Sequence, residues 1–75
     1  MSISIKCYAS LSKYQPGNSD NFPVRENDTV GDVLQRLGLD SSEVKLAFVN
    51  GKHSGWERVL QDGDKVAFFP AVGGG

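Results

Sequence analysis

The chain has 75 residues, of which 39% are hydrophobic and 23% charged, and its formal net charge is −1. A chain of this length has room for one sheet and one helix but not for a deep enclosed active site. Its small net charge and singly scattered lysines and arginines argue against nucleic acid or an anionic membrane as a partner.

The compartment is indicated by the cysteine count and the amino terminus. Cys7 is the single cysteine, which excludes an internal disulfide framework and suits a reducing compartment. We find neither a signal-peptide pattern nor the roughly 18 consecutive apolar residues needed to span a bilayer. The cytoplasm is therefore the expected location.

The amino-terminal segment alternates between apolar and polar side chains, which predicts a strand over residues 2–9 with one buried face. The residues expected on that face are Ile3, Ile5 and Cys7. Residues 10–20 are rich in turn formers and predict a loop, which Leu11 and Tyr14 attach to the core.

A short strand over residues 21–25 and then a helix are predicted next. Asp28 or Thr29 can cap the helix, and Gly38 ends it. Apolar residues at helical spacing form one stripe on its surface: Val30, Val33, Leu34 and Leu37. Such a stripe can cover one face of a sheet.

Residues 45–49 form the third predicted strand. Asn50 and Gly51 follow it and are a strong signal for a tight turn. Val59 and Leu60 predict a very short strand or an extended segment.

The last strand is predicted over residues 65–70, after a turn at residues 61–64 in which Gly63 adopts a positive φ. The order strand, strand, helix, strand, short strand, strand favours an α+β fold with a mixed sheet of four or five strands and the helix on one face. If the first and last strands lie together at the centre, they must be parallel, and the fold is the β-grasp of ubiquitin-like proteins. We expect this domain to cover residues 1–72, followed by a flexible glycine tail at 73–75.

The carboxyl-terminal segment resembles that of the small sulfur-carrier proteins, the MoaD and ThiS branch of the ubiquitin-like superfamily. The resemblance depends on the run from Leu60 through the Asp-Gly-Asp turn, the Phe-Phe-Pro of the last strand, and the terminal glycines. Phe-Phe-Pro followed by Val72 looks more like the small subunit of molybdopterin synthase than the carrier of thiazole synthesis. Gly73 and Ala71 depart from the usual pattern of that branch.

The resemblance implies a carrier protein rather than an enzyme. In that family, a separate ATP-dependent, ubiquitin-activating-like enzyme adenylates the terminal glycine carboxylate. A sulfur donor then converts it to a thiocarboxylate, and the tail delivers the sulfur to an acceptor synthase. Gly75 would be the reacting residue, while Gly74 and Gly73 would give the tail access to narrow clefts.

The resemblance leaves the destination of the sulfur open. The first candidate is molybdenum or tungsten cofactor synthesis, with the large subunit of molybdopterin synthase as acceptor, and thiamine thiazole synthesis is the alternative. A protein modifier joined to lysines through Gly75 is a second class. A noncovalent binding module with an incidental tail is a third.

The last strand also predicts a partner-binding surface. Val66 and Phe68 should face the core, which leaves Phe69 on the other face beside the tail. We include Pro70 and Val72 in this surface. The alternative is that neighbouring strands cover Phe69.

No set of residues in the sequence predicts catalysis, a cofactor or a metal site. Cys7 is expected in the core, His53 in an exposed turn, and Asp62 and Asp64 in turn positions. Trp56 either packs on the core or contributes to a binding surface.

Overall fold

The computed structural model describes residues 1–71; Val72 and the three glycines after it lie outside the described residues. Five strands form one sheet in the order β2-β1-β5-β3-β4. The strands are β1 (Ser2–Cys7), β2 (Phe22–Pro23), β3 (Val44–Val49), β4 (Lys52–Ser54) and β5 (Lys65–Pro70). The α-helix α1 spans Val30–Arg36, and two 3₁₀ helices span Ala9–Tyr14 and Ser41–Glu43.

The first and last strands lie at the centre of the sheet and run parallel, with Ile5 paired to Val66 and Cys7 paired to Phe68. β3 flanks β5 on the other side in antiparallel orientation. This confirms the predicted β-grasp arrangement, in which the last strand is hydrogen-bonded on both sides.

The core lies between the sheet and α1. The alternation predicted for the first and last strands is confirmed, because Ile3, Ile5, Cys7, Val66 and Phe68 are all buried. Val30, Val33 and Leu34 of the helix belong to the same hydrophobic cluster. Within residues 1–71, α1 is the one α-helix, so the opposite face of the sheet is not covered by an α-helix.

Thr29 caps the helix. Its hydroxyl accepts a hydrogen bond from the Asp32 N–H, and the Asp32 carboxylate accepts one from the Thr29 N–H, so the two form a capping box. Gly38 follows the helix with φ +77°, as its predicted role in ending the helix requires. Of the two residues predicted as possible caps of the helix, Asp28 and Thr29, the structure shows Thr29 in that role.

The Asp28 carboxylate closes the turn before the helix. It accepts a hydrogen bond from the Arg25 N–H at 2.7 Å and forms an ion pair with Arg36. The Arg25 N–H, aided by Arg36, lowers the pKa of Asp28 below its ordinary value.

Asn50 and Gly51 have φ of 54° and 82°, which matches the two positive φ angles of a type I′ hairpin turn. The Asn50 side chain accepts a hydrogen bond from the Lys65 N–H and donates one to the Asp64 carboxylate, both at 2.9 Å. The hairpin turn is therefore joined to the start of β5. Gly63 has φ +86°, as predicted.

Of the two alternatives predicted for Val59 and Leu60, a very short strand or an extended segment, the extended segment is correct. Val59 forms an isolated bridge with Thr29, and the extra strand is β4. The type I′ turn returns the chain onto β3, so the residues directly after it occupy the edge of the sheet.

Three further elements differ from the predictions. The chain leaves β1 after Cys7, because Ala9 has φ 52° and starts a 3₁₀ helix within the predicted loop. Leu11 of that helix is buried, as expected. β2 is shorter than the predicted strand, and it contains Pro23, which has no N–H to donate to a neighbour. β3 begins one residue earlier, at Val44.

Candidate functional site

The last described residue, Ala71, is held at the end of the central strand β5. Its N–H donates to the Glu43 carbonyl at 3.4 Å, and Pro70 pairs with Val44 of β3. The Glu43 carboxylate accepts a hydrogen bond from the Tyr14 hydroxyl at 3.3 Å. The predicted site residues Val72, Gly73, Gly74 and Gly75 lie beyond this point, outside the described residues.

An aromatic cluster lies on the face of the sheet opposite the helix, which we call the open face. The ring of Phe69 lies 4.4 Å from that of Tyr8 and 5.3 Å from that of Phe48, centroid to centroid. His53 of β4 continues the cluster, with its ring 5.9 Å from that of Phe48. Four different strands or strand ends therefore contribute to one continuous aromatic surface.

Phe69 is half-buried within this cluster, and Pro70 beside it is also half-buried. Two apolar neighbours remain well exposed, Tyr8 at 42% and Leu46 at 37%. Leu46 pairs with Phe69 across the β3–β5 ladder, next to an irregularity that interrupts the alternation of β3. The open face thus presents apolar area directly beside the end of β5.

Sequence reasoning missed Tyr8, Leu46 and Phe48 as members of this surface. Tyr8 could have been found from the predicted parallel pairing, because it follows Cys7 as Phe69 follows Phe68. Leu46 and Phe48 could have been found from strand alternation, because they alternate with the buried Ala47 and Val49 and therefore lie on the open face.

A groove of about 520 Å³ runs over the open face. Its lining combines the small side chain of Ala67 with several aromatic and basic residues. Those residues are Lys6, Tyr8, Phe48, Lys65 and Phe69. The groove is open to solvent and offers a surface for binding rather than a closed reaction chamber.

The remaining candidates have structural roles. Cys7 is buried, as predicted, and burial raises the pKa of its thiol, which disfavours the reactive thiolate. Asp62 accepts a hydrogen bond from the Ser2 N–H and Asp64 from the Gln61 N–H, which confirms their place in a turn. Within residues 1–71, no three His, Cys, Asp or Glu side chains gather to form a metal site.

His53 and Trp56 have different surroundings in the structure. His53 is exposed, as expected, but it lies in β4 rather than in a turn. Trp56 is partly buried against the core, and its carbonyl accepts a hydrogen bond from the Gly31 N–H at 2.8 Å. Packing is therefore the correct alternative for Trp56.

The sequence model of the ThiS family matches residues 5–75. The chain belongs to the ThiS family. The match includes the glycine tail as well as the folded part, and it confirms the resemblance to ThiS- and MoaD-type proteins. This is a family of ubiquitin-like carriers and modifiers rather than of catalytic enzymes.

Solved structures similar to this ThiS-family chain come from Haloferax volcanii. SAMP1 is 26% identical, with all of both chains covered and a TM-score of 0.74. The HVO 2177 protein is 29% identical over 100% of this chain and 87% of its own, with a TM-score of 0.78.

A third structure, of H. volcanii small archaeal modifier protein 1, is 24% identical over 93% of this chain and 97% of its own, with a TM-score of 0.73. These likenesses confirm the β-grasp fold. No curated protein sequence matches the chain significantly. Among residues 1–71, no helix has the length and apolar character required to cross a membrane.

Proposed function

We propose that this ThiS-family chain is a sulfur carrier whose terminal residue, Gly75, is adenylated by a partner enzyme and converted to a thiocarboxylate. The observation that carries the proposal is the extent of the family match, which continues through residue 75. The glycine tail is thus part of the family's pattern and not an addition to it.

The chemistry requires activation because a carboxylate is anionic and its oxygen is a poor leaving group. The Gly75 carboxylate attacks the α-phosphate of ATP, pyrophosphate leaves, and an acyl-adenylate forms. A hydrosulfide equivalent then attacks the acyl carbon and AMP leaves, which gives the thiocarboxylate and releases a proton. All catalytic groups belong to the partners, since this chain supplies only the carboxylate.

The fold would serve as a rigid base for the tail. β5 is paired on both sides, and Ala71 is hydrogen-bonded to Glu43, so the tail starts from a defined position. Gly73 and Gly74 lack Cβ atoms and would allow passage through a narrow cleft. We accordingly divide the chain into a β-grasp domain at 1–72 and a tail at 73–75.

The partners would be a ubiquitin-activating-like enzyme, a sulfur donor protein and an acceptor synthase. Phe69, Pro70 and Val72 would contribute to binding them, because the open face beside β5 offers exposed apolar area. We assign the acceptor to molybdopterin synthesis, on the Phe-Phe-Pro and Val72 pattern. Thiazole synthesis is the alternative.

The test is to incubate the chain with the adenylating enzyme of its own organism, ATP and a sulfur donor, and to measure the intact mass. The expected mass gain equals the difference between one sulfur and one oxygen atom, and it is absent without ATP. An unchanged mass in the complete reaction contradicts the proposal.

The pathway is tested separately by supplying the thiocarboxylate form to the two acceptors. Sulfur transfer with the large subunit of molybdopterin synthase, and none with thiazole synthase, supports our assignment. The reverse result assigns the chain to thiamine synthesis.

A second function, protein modification, is favoured by the similarity to a protein described as small archaeal modifier protein 1. The same activated Gly75 would then form an isopeptide bond with a lysine of another protein. Affinity capture followed by proteolysis and mass spectrometry would detect remnants of the tail on such lysines. Their absence under conditions that yield the thiocarboxylate leaves sulfur transfer as the function.

A further inference from the structure

Charge is distributed unevenly between the strands and the rest of the chain. The five strands contain four lysines, one histidine and no acidic residue. The lysines are Lys6, Lys45, Lys52 and Lys65, all of them exposed. All nine Asp and Glu residues lie in the helices, turns and connections. The strands are therefore basic, although the net charge of the whole chain is close to zero.

Two of these lysines, Lys6 and Lys65, line the groove on the open face. Their positions follow from the alternation of the strands, since Lys6 lies between buried Ile5 and Cys7, and Lys65 precedes buried Val66. Asp20 is the acidic residue among those that line the groove. Within residues 1–71 the one ion pair joins Arg36 to Asp28, so neither ammonium group is paired with a carboxylate, and that of Lys6 lies 5.9 Å from the centroid of the Tyr8 ring.

The groove differs in chemistry between its two ends. Lys65 and Ser4 pair at the amino-terminal ends of the two parallel central strands. Tyr8 and Phe69 stack at the carboxyl-terminal ends, beside the point where the described chain ends at Ala71. One end therefore carries the Lys65 ammonium group, and the end next to the tail combines the aromatic rings with the ammonium group of Lys6.

We propose that the groove docks a segment of the adenylating enzyme that carries an apolar side chain flanked by carboxylates. The apolar side chain would pack against Phe48 and Phe69, and the carboxylates would pair with Lys6 and Lys65. This inference rests on the proposed function and adds the chemistry and orientation of the partner's surface. Apolar burial supplies affinity, whereas the charge pairs set the orientation and speed association.

The charges also decide against a second copy of this chain as the occupant. Its strands contain no carboxylate that could pair with the lysines. Two grooves in contact would oppose four ammonium groups with only two carboxylates, those of the two Asp20 residues. An acidic partner removes that imbalance.

The first experiment measures binding of the adenylating enzyme to the double variant Lys6→Glu, Lys65→Glu. We expect affinity at low salt to fall at least about tenfold, because attraction becomes repulsion at both positions. Arg58→Glu is the matched control, since Arg58 is exposed in the connection that contacts the amino end of α1. Equal affinities of the wild type and the double variant would overturn the proposal.

Salt dependence provides a second measure in the same experiment. Binding of the wild type should weaken as salt is raised, and binding of the Lys6→Gln, Lys65→Gln variant should respond less. Thermal melting of each variant checks that it is folded. Identical salt responses contradict the assigned charge pairs.

The second experiment does not depend on the enzyme. The ¹⁵N-labelled chain is titrated with the peptide Asp-Glu-Leu-Phe-Glu-Asp and, for comparison, with Lys-Lys-Leu-Phe-Lys-Lys. We expect amide shifts from the acidic peptide alone, confined to the central strands around Lys6, Lys65 and Ala67. Shifts centred on α1, equal responses to both peptides, or tighter binding to single-stranded RNA or anionic lipid vesicles each overturn it.

The two experiments separate the failure of this inference from that of the proposed function. If the wild type gains sulfur and the double variant binds the enzyme as tightly as the wild type, the proposed function is supported and the docking surface is excluded. If the wild type neither binds the enzyme nor gains sulfur, the function and the named partner fail together. The peptide titration then decides the chemistry of the groove by itself.

Discussion

The ring of Tyr8 lies edge-on against the ring of Phe69, with 4.4 Å between their centroids. The contact follows from the parallel register of the central strands, since the residues just before them, Cys7 and Phe68, are paired. Cys7 and Phe68 face the core, and the next residue of each strand faces the open side. The aromatic surface and Ala71, the last described residue before the tail, are therefore both held by the central pair of strands.

Phe69→Ala tests this surface. We expect the variant to bind the adenylating enzyme more weakly by about 1–2 kcal/mol or more, because a half-buried ring at the centre of the apolar area is lost. Val59→Ala is the control, because Val59 is 48% exposed and bridges Thr29, away from the open face. Unchanged affinity of a folded Phe69→Ala variant, measured by calorimetry, excludes the surface.

A chain made by ligation with a terminal carboxamide in place of the Gly75 carboxylate should gain no sulfur. An amide has no carboxylate to attack ATP, whereas the folded part is unaltered and should melt at the same temperature. Intact mass after the complete reaction provides the measurement. Sulfur gain by the carboxamide chain would show that Gly75 is not the reacting residue.

Removal of one glycine tests whether the length of the tail matters, because the reacting terminal glycine is kept. The three glycines are identical, so deleting any of them yields the same chain, which still ends in Gly-Gly. The tail becomes shorter by up to about 3.5 Å, and we expect thiocarboxylate to form more slowly. A rate equal to that of the wild type would show that Gly73 is not required for reach.

Gly63→Ala should destabilise the fold by about 1–2 kcal/mol, because φ at this position is +86° and a Cβ is disfavoured there. No atom lies within 4 Å of the added Cβ, so the loss reflects backbone conformation alone. Gly17→Ala is the control, since its added Cβ also meets open space and its φ is not in the positive range. Equal midpoints in urea denaturation would contradict this account of the turn.

The pH dependence of stability should include a contribution from Asp28. Its pKa is lowered in the folded chain, so its stabilising effect is complete above the unfolded pKa of about 3.9 and is lost as pH falls through the folded value. Asp28→Asn should lower the melting temperature at pH 7 and have less effect at low pH. An equal effect at both pH values would contradict the assignment, and Asp40→Asn provides an exposed comparison.

Local pattern determined much of the fold. The alternation of Ile3, Ile5 and Cys7 predicted the buried face of β1, because neighbouring side chains of a strand point to opposite faces. Asn50 and Gly51 predicted a tight turn, and Gly63 predicted a positive φ, because few residues other than glycine adopt that conformation. Family membership was likewise readable from the last 16 residues.

Tertiary structure decided what depends on contacts between distant residues. The helix at Ala9–Tyr14 has no periodic pattern and forms where Leu11 reaches the core. β4 exists because β3 offers an edge directly after the turn.

The candidate docking surface depends on the same long-range pairing. Parallel pairing of β1 with β5 brings Tyr8 to Phe69 and Lys6 to the level of Ala67 across 60 residues of chain. The sequence by itself determined four of the five strands, the α-helix, the tight turns and the family pattern of the tail. Only the packed sheet decided which side chains form a surface beside that tail, because local alternation shows which residues of one strand share a face but not which residues of a distant strand lie beside them.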